Sequence, residues 1–383
     1  MKKLFVFLII AVNVFGLKAQ VEEESLKDSV AVYIDTTQII IPLIINVDSV
    51  TAVSDTSSTL VVAENQEAYL EYNEGIKLFH SDEYILASIK FTNAIKYKTD
   101  FEEAYYNRGA TYLQLKDYDL ALNDFDSVLL INPKRKAAYY YRGLIHYNTK
   151  NDAKAYEEFD LAIKNDYINA NLFYLQGVIN FKKEEYSKAI EKFSEAIELE
   201  KDNYLAYHDR ASAYRLLDSL QLAINDYNQA IKLKPDQAQA YNNRGSIYRK
   251  LKKYDKAIAD YTQAISLNKD YCLAYNNRGI AYYENKEYVK AIEDFENAIN
   301  IDKDYAFAYN NMGLCQYKLK QYDEAIKSYT KAIIINPEYA YPYLHRGSAK
   351  EMNRDISGAC QDWQKALELG IEEAKEYVSI CNE

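Results

Sequence analysis

Glycines at a fixed interval set the first limit on what this chain can become. Gly75, Gly109, Gly143 and Gly177 lie 34 residues apart, Ala211 fills the next slot, and Gly245, Gly279, Gly313 and Gly347 continue the series. Nine registers fit without an insertion. A unit of that length cannot bury an apolar face alone and gains a core only by stacking on its neighbours, which is the signature of a helix-turn-helix solenoid. Counting each unit from seven residues before the small residue gives repeats over 68–101, 102–135, 136–169, 170–203, 204–237, 238–271, 272–305, 306–339 and 340–373, together 67–373. A C-terminal cap helix is expected over 374–383.

Other positions keep the same register. Position 4 is aromatic from Tyr105 to Tyr343, and position 20 is alanine in every unit, from Ala87 to Ala359. Small residues there let two helices approach closely. Position 24 is aromatic throughout (Phe91, Phe125, Phe159, Phe193, Tyr227, Tyr261, Phe295, Tyr329, Trp363), and Pro133, Pro235 and Pro337 stand at position 32, where proline ends a second helix. The stretch AYNNRGSIYRKLKKYDKAIADYTQAISLNKD at 240–270 resembles the tetratricopeptide repeat family, and the likeness covers about 306 residues. The resemblance implies an all-α fold, a right-handed α-solenoid of nine 34-residue helix-turn-helix repeats.

Position 7 is arginine in six repeats (Arg108, Arg142, Arg210, Arg244, Arg278, Arg346), and in those six position 23 is acidic (Asp124, Glu158, Asp226, Asp260, Asp294, Asp362). The two positions are equidistant from a turn near position 15, so antiparallel helices bring them together as an ion pair worth about 0.2–1 kcal/mol if exposed. Glu74 and Lys90 read as the same pair with charges swapped; Gln176 with Lys192 and Met312 with Ser328 do not form opposite-charge pairs.

The resemblance also implies that the first helix of each repeat lines a concave groove through positions 2, 5, 6, 9, 12 and 13. Position 5 changes character along the chain, from Tyr72, Tyr106, Tyr140 and Tyr174 to His208, Asn242, Asn276 and Asn310. Position 6 adds Asn107, Asn243, Asn277 and Asn311, and position 12 supplies Phe79, Tyr147 and Phe181, then Arg215 and Arg249. An asparagine amide donates and accepts at once, so a series of them can pair with successive peptide groups of an extended partner. The asparagines look like the ladder in the repeat domain of O-linked N-acetylglucosamine transferases, without the catalytic domain. Tyr72, Tyr106, Asn107, Tyr140, Tyr174, Asn242, Asn243, Asn276, Asn277, Asn310 and Asn311 are therefore the candidate partner-binding residues. The expected function is a scaffold or assembly factor that holds a protein or peptide in the groove. A carbohydrate- or peptidoglycan-binding module using the tyrosines is the alternative.

Composition narrows the partners. The chain has 383 residues and a net charge of −11, an acidic balance that argues against nucleic acid, whose binding needs Lys and Arg on the phosphates. Eight of the eleven glycines belong to the repeat register, so no phosphate-cradling loop remains. His80, His146, His208 and His345 are scattered without metal-ligand spacing. No catalytic residue, metal or cofactor is expected, and the chain reads as not an enzyme.

Lys2 and Lys3, the apolar run Leu4–Leu17 and the small Ala19 read as a signal peptide over 1–19, cut before Gln20, too short to span a bilayer. After cleavage no integral span is expected. The mature chain would be secreted and periplasmic, with an envelope complex as a possible partner. An extended segment follows over 20–66. In an oxidising compartment Cys360 and Cys381, ten and eleven residues on either side of Gly370, would meet across a hairpin as a disulfide, while Cys272 and Cys315 read as buried thiols.

Overall fold

The structure, a computed structural model, describes residues 59–381, with side-chain surroundings from Gln66 onward. The predicted signal peptide and most of the segment 20–66 lie outside the described residues. The described chain divides into two compact units, one ending at Lys201 and the other beginning at Asp202. All regular structure among the described residues is helical.

The N-terminal unit holds four helix pairs: α1 (Thr59–His80) with α2 (Tyr84–Tyr97), α3 (Glu102–Gln114) with α4 (Tyr118–Ile131), α5 (Lys136–Asn148) with α6 (Asp152–Lys164), and α7 (Ala170–Lys182) with α8 (Tyr186–Leu199). The C-terminal unit holds five: α9 (Tyr204–Leu216) with α10 (Leu220–Leu233), α11 (Ala238–Lys250) with α12 (Tyr254–Leu267), α13 (Cys272–Glu284) with α14 (Tyr288–Ile301), α15 (Ala306–Lys318) with α16 (Tyr322–Ile335), and α17 (Ala340–Met352) with α18 (Ile356–Glu368). Helix α19 (Ala374–Cys381) closes it. Helix α1 starts at Thr59, inside the stretch expected to be extended as far as 66, where Ala63, Glu64 and Gln66 are good helix formers.

The turn between the helices of a pair comes where the register places it. Asp82, Lys116, Lys150, Glu184, Asp218, Lys252, Lys286, Lys320 and Arg354, all at position 15, have φ between 57° and 66°. This left-handed residue stops the first helix and redirects the chain, and the next amide caps the helix end, as when Lys253 N–H donates to the Tyr248 carbonyl at 2.8 Å.

Packing within a pair turns on positions 8 and 24. A methyl built on Gly143 would come within 2.5 Å of the Phe159 ring, and on Gly313 within 2.6 Å of Tyr329. Only glycine lets the ring lie flat on the opposite backbone at that separation. The ring is then fully enclosed, as Phe91, Phe125, Phe159, Phe193, Tyr227, Tyr261, Phe295 and Tyr329 are. The alanines at position 20 are buried in all nine repeats.

With the helices held so close, the neighbouring positions 7 and 23 meet. Arg108 donates through Nε and Nη2 to both oxygens of Asp124 at 2.9 and 2.6 Å, and Arg278 does the same to Asp294 at 2.8 and 2.7 Å. Arg210, Arg244 and Arg346 grip Asp226, Asp260 and Asp362 in the same two-pronged way. Arg142 holds the longer Glu158 by a single bond of 2.7 Å. These carboxylates are buried rather than exposed, and burial pushes those of Asp124 and Asp294 up from their ordinary value against the pull of the arginine. The third arm of the guanidinium reaches position 25 of the preceding repeat: Arg108 to Thr92, Arg244 to Asn228, Arg278 to Thr262 and Arg346 to Thr330, at 2.6–3.0 Å. One side chain thus ties two helices of its own repeat to a third.

Of the three exceptional repeats, one differs from expectation: Lys90 pairs with Glu71 at 3.3 Å in place of Glu74. In the second, as expected, no opposite-charge pair forms; Gln176 donates to Asp160, and Lys192 takes Glu195. Ser328 donates to Gln316, an apolar Met312 offering nothing. At the C-terminal end Cys360 and Cys381 are joined as a disulfide with Cα atoms 5.8 Å apart, and Trp363 stacks on Tyr377 at 5.0 Å, so α19 covers the last pair.

Two outcomes follow from this packing. Asp294→Ala leaves the Arg278 guanidinium half-buried without its carboxylate and should lower stability by about 3 kcal/mol in denaturant titration, whereas Arg278→Met with Asp294→Leu should cost much less. Alkylation in denaturant without reductant should label two thiols per chain, those of Cys272 and Cys315, and four after reduction.

Candidate functional site

The first helices of successive repeats lie side by side within each unit, and positions 5 and 6 sit at that seam. The expectation that they open onto a groove is corrected by the structure: all eleven candidate partner-binding residues are buried. Nine of them hydrogen-bond to a neighbouring repeat.

In the N-terminal unit Asn107 donates from Nδ2 to the Tyr72 hydroxyl at 2.8 Å. Tyr106 meets Tyr141 edge to face at 5.5 Å, and burial pushes its phenol up to about 12. The Tyr140 hydroxyl accepts from Asn171 at 2.7 Å, and Tyr174 packs on Phe193 with ring centroids 5.8 Å apart. No face of these four rings is left for a sugar to stack on, since each tyrosine is at most 4% exposed.

In the C-terminal unit the same two positions form an amide ladder. His208 donates from Nδ1 to Asp209 at 2.9 Å, which leaves its Nε2 to accept from Asn243 at 3.3 Å. Asn277 donates to Asn242 at 3.0 Å, Asn311 to Asn276 at 3.1 Å, and His345 Nδ1 to Asn310 at 3.0 Å. Every link spans 35 residues, from position 5 of one repeat to position 6 of the next. The amides are therefore joints between repeats. Their pairing follows from the cost of burying an unpaired polar group, about 1–3 kcal/mol.

Position 12 divides. Tyr147, Phe181, Arg215 and Arg249 are buried, and Arg249 pairs with Glu284 of the next repeat at 2.9 Å. Phe79, Tyr283 and Tyr317 are half-buried; at position 13 Lys318 is exposed beside Tyr283 and Tyr317, and Lys250 is exposed but paired with Asp218 at 2.8 Å. Tyr283 and Tyr317 were not among the expected site residues, although they stand in the position that holds Phe79, and reading that column to its end finds them. Among the described residues no three His, Cys, Asp or Glu side chains cluster as a metal would require, and no helix is long and apolar enough to cross a membrane.

Comparison with known proteins agrees with this architecture. A family profile described as tetratricopeptide repeat matches residues 102–135, 238–271, 272–305 and 306–339, in the register read from the glycines. A second, described as TPR repeat, matches 211–252. No curated protein matches the chain. Among solved structures, a tetratricopeptide repeat protein from Parabacteroides merdae is 20% identical over 65% of this chain and 99% of its own, with a TM-score of 0.52. The APC/C hetero-tetramer Cut9-Hcn1 is 18% identical over 85% of this chain and 69% of that one, at 0.50. MamA is 27% identical over 43% of this chain and 96% of its own, at 0.40. With its helix pairs, its enclosed ring-on-glycine contacts and its repeats matched in register, the chain is a member of the tetratricopeptide repeat family.

Proposed function

We propose that this chain is a scaffold that binds an extended segment of a protein partner on the faces of its first helices, without catalysis. The observation that carries the reading is the edge formed by positions 12 and 13 in the C-terminal unit. There the half-buried rings of Tyr283 and Tyr317 border the exposed Lys318 side chain. Aromatic rings on a rigid backbone supply contact area at little conformational cost, and a cation beside them favours a partner of acidic or neutral character. The asparagines act one layer below, by holding adjacent first helices at a fixed spacing so that the rings repeat at a constant interval.

The compartment belongs to the same proposal. Lys2, Lys3 and the apolar run to Leu17 would direct export, and the disulfide between Cys360 and Cys381 suits an oxidising space such as the periplasm, where an envelope complex would be the partner.

A random-peptide display panned on the full chain tests this. Tyr317→Ser and Tyr283→Ser should each weaken selected peptides at least tenfold with the fold intact, and Lys331→Ala, on an exposed second-helix face, should not. Peptides that bind all variants equally would move the site elsewhere. Asn277→Ala should show the opposite pattern, a stability loss of about 1–3 kcal/mol with binding kept by the folded fraction, because it strands the Asn242 carbonyl inside the seam.

A further inference from the structure

Three repeats carry tyrosine at position 24 instead of phenylalanine or tryptophan, and so bury a hydroxyl along with the ring. In two of them a serine at position 9 meets it: Ser212 bonds the Tyr227 hydroxyl at 2.8 Å, and Tyr261 donates to Ser246 at 3.1 Å. In the third, position 9 is Leu314, and the enclosed Tyr329 hydroxyl has no hydrogen bond among the described residues. A second orphan faces the same space. His345 is 7% exposed; its Nδ1 donates to Asn310, so Nε2 carries a lone pair, and that nitrogen too has no partner among the described residues. Burial and the nearby Lys318 ammonium push the ring down to about 3, so it is neutral near pH 7.

Both side chains line one small, half-open cavity of about 30 Å³, whose wall includes Tyr283, Tyr317, Lys318, Leu314 and Ser348. The two side chains are adjacent, with ring centroids 5.6 Å apart. The cavity opens among the position 12 and 13 residues that the proposed function uses, and the inference rests on that reading.

We propose that this cavity takes a neutral carboxamide, the side chain of an asparagine or glutamine in the bound segment, its NH₂ donating to His345 Nε2 and its carbonyl accepting from the Tyr329 hydroxyl. Each orphan then gains the partner it lacks, and the tyrosine rings of the wall cover the methylene stem. A carboxylate of the same shape is rejected despite Lys318, since it offers no hydrogen to Nε2 and sets two lone pairs against each other. A site built to hydrogen-bond both ends of a group discriminates against analogues that lack one end far more strongly than an apolar pocket does.

The test uses acetamide as the probe and acetate as its anionic isostere, titrated into the full chain at pH 7 while the His345 ring ¹⁵N and ¹³C resonances are followed. Acetamide should move Nε2 saturably, and acetate at the same concentration should bind at least tenfold more weakly. Leu314→Ser, which gives Tyr329 the partner that Ser212 gives Tyr227, and Tyr329→Phe should each weaken acetamide tenfold or more while thermal melts show the fold retained. A His345 ring indifferent to acetamide would mean that the orphans hold solvent only and would overturn the proposal, as would acetate binding as well as acetamide or variants that bind unchanged. Because no partner protein enters the assay, its failure leaves the scaffold reading standing, and a scaffold that selects no peptide leaves this result readable.

Discussion

The contact between the aromatic ring at position 24 and the backbone of the small residue at position 8 decides how near the two helices of a repeat can come. A methyl group at most of these glycines would sit 2.5–2.8 Å from a ring carbon, and the ring itself has no room to retreat because it is enclosed on all sides. Repeat 5 shows the tolerance of the arrangement, with Ala211 in that slot against Tyr227, both buried. What the close approach permits is the meeting of positions 7 and 23, one residue before each member of the ring contact. A guanidinium can grip a carboxylate with two parallel bonds only over a narrow range of separation, and five repeats achieve it. The shorter aspartate does so, whereas the extra methylene of Glu158 reduces the grip to a single bond.

The seam between repeats is governed by a different economy. Apolar packing alone is permissive about sliding, since one leucine-sized group replaces another with little penalty. Buried amides are not, because displacement by one turn leaves donors and acceptors unpaired. The ladder through Asn242, Asn276 and Asn310 accordingly fixes the register between consecutive first helices, and the guanidinium arms that reach Thr262 and Thr330 fix it again between second helices. In the C-terminal unit both polar systems thus hold the repeats at 238–271, 272–305 and 340–373 to the one before.

Which of these features can be read in the sequence depends on how far apart their partners lie. Contacts within a repeat join positions 16 residues apart in a fixed frame, so the arginine and acidic columns vary together, and the Arg278 to Asp294 pair is legible in the sequence. Contacts between repeats join position 5 to position 6 of the next unit, and nothing in a column of asparagines distinguishes an amide that meets a partner protein from one that meets the next asparagine. The same residue type serves both because the chemistry is the same: one donor, one acceptor, at helical spacing. Tyr72 and Tyr140 misled for the related reason that a phenol at a seam is as good a buried joint as it is an exposed anchor. The arm from Arg244 to Asn228 is not legible in the sequence because position 25 varies among Thr, Asp, Ser, Asn, Glu and Gln, with only the capacity to accept in common.

The repeat at 306–339 breaks more of its own rules than any other in the C-terminal unit. Met312 removes the arginine, Ser328 turns to Gln316 in place of a carboxylate, and Leu314 withdraws the hydroxyl that Tyr329 needs. A residue that served only the fold at position 24 would be phenylalanine, as it is in Phe295 one repeat earlier. A buried hydroxyl kept where its internal partner has been lost costs folding free energy with no structural return. Departures of this kind gather where a surface is shaped for something other than its own chain. That the orphaned hydroxyl, the orphaned imidazole nitrogen and the half-buried rings of Tyr283 and Tyr317 all border the same cavity makes this repeat the place where fold and function compete.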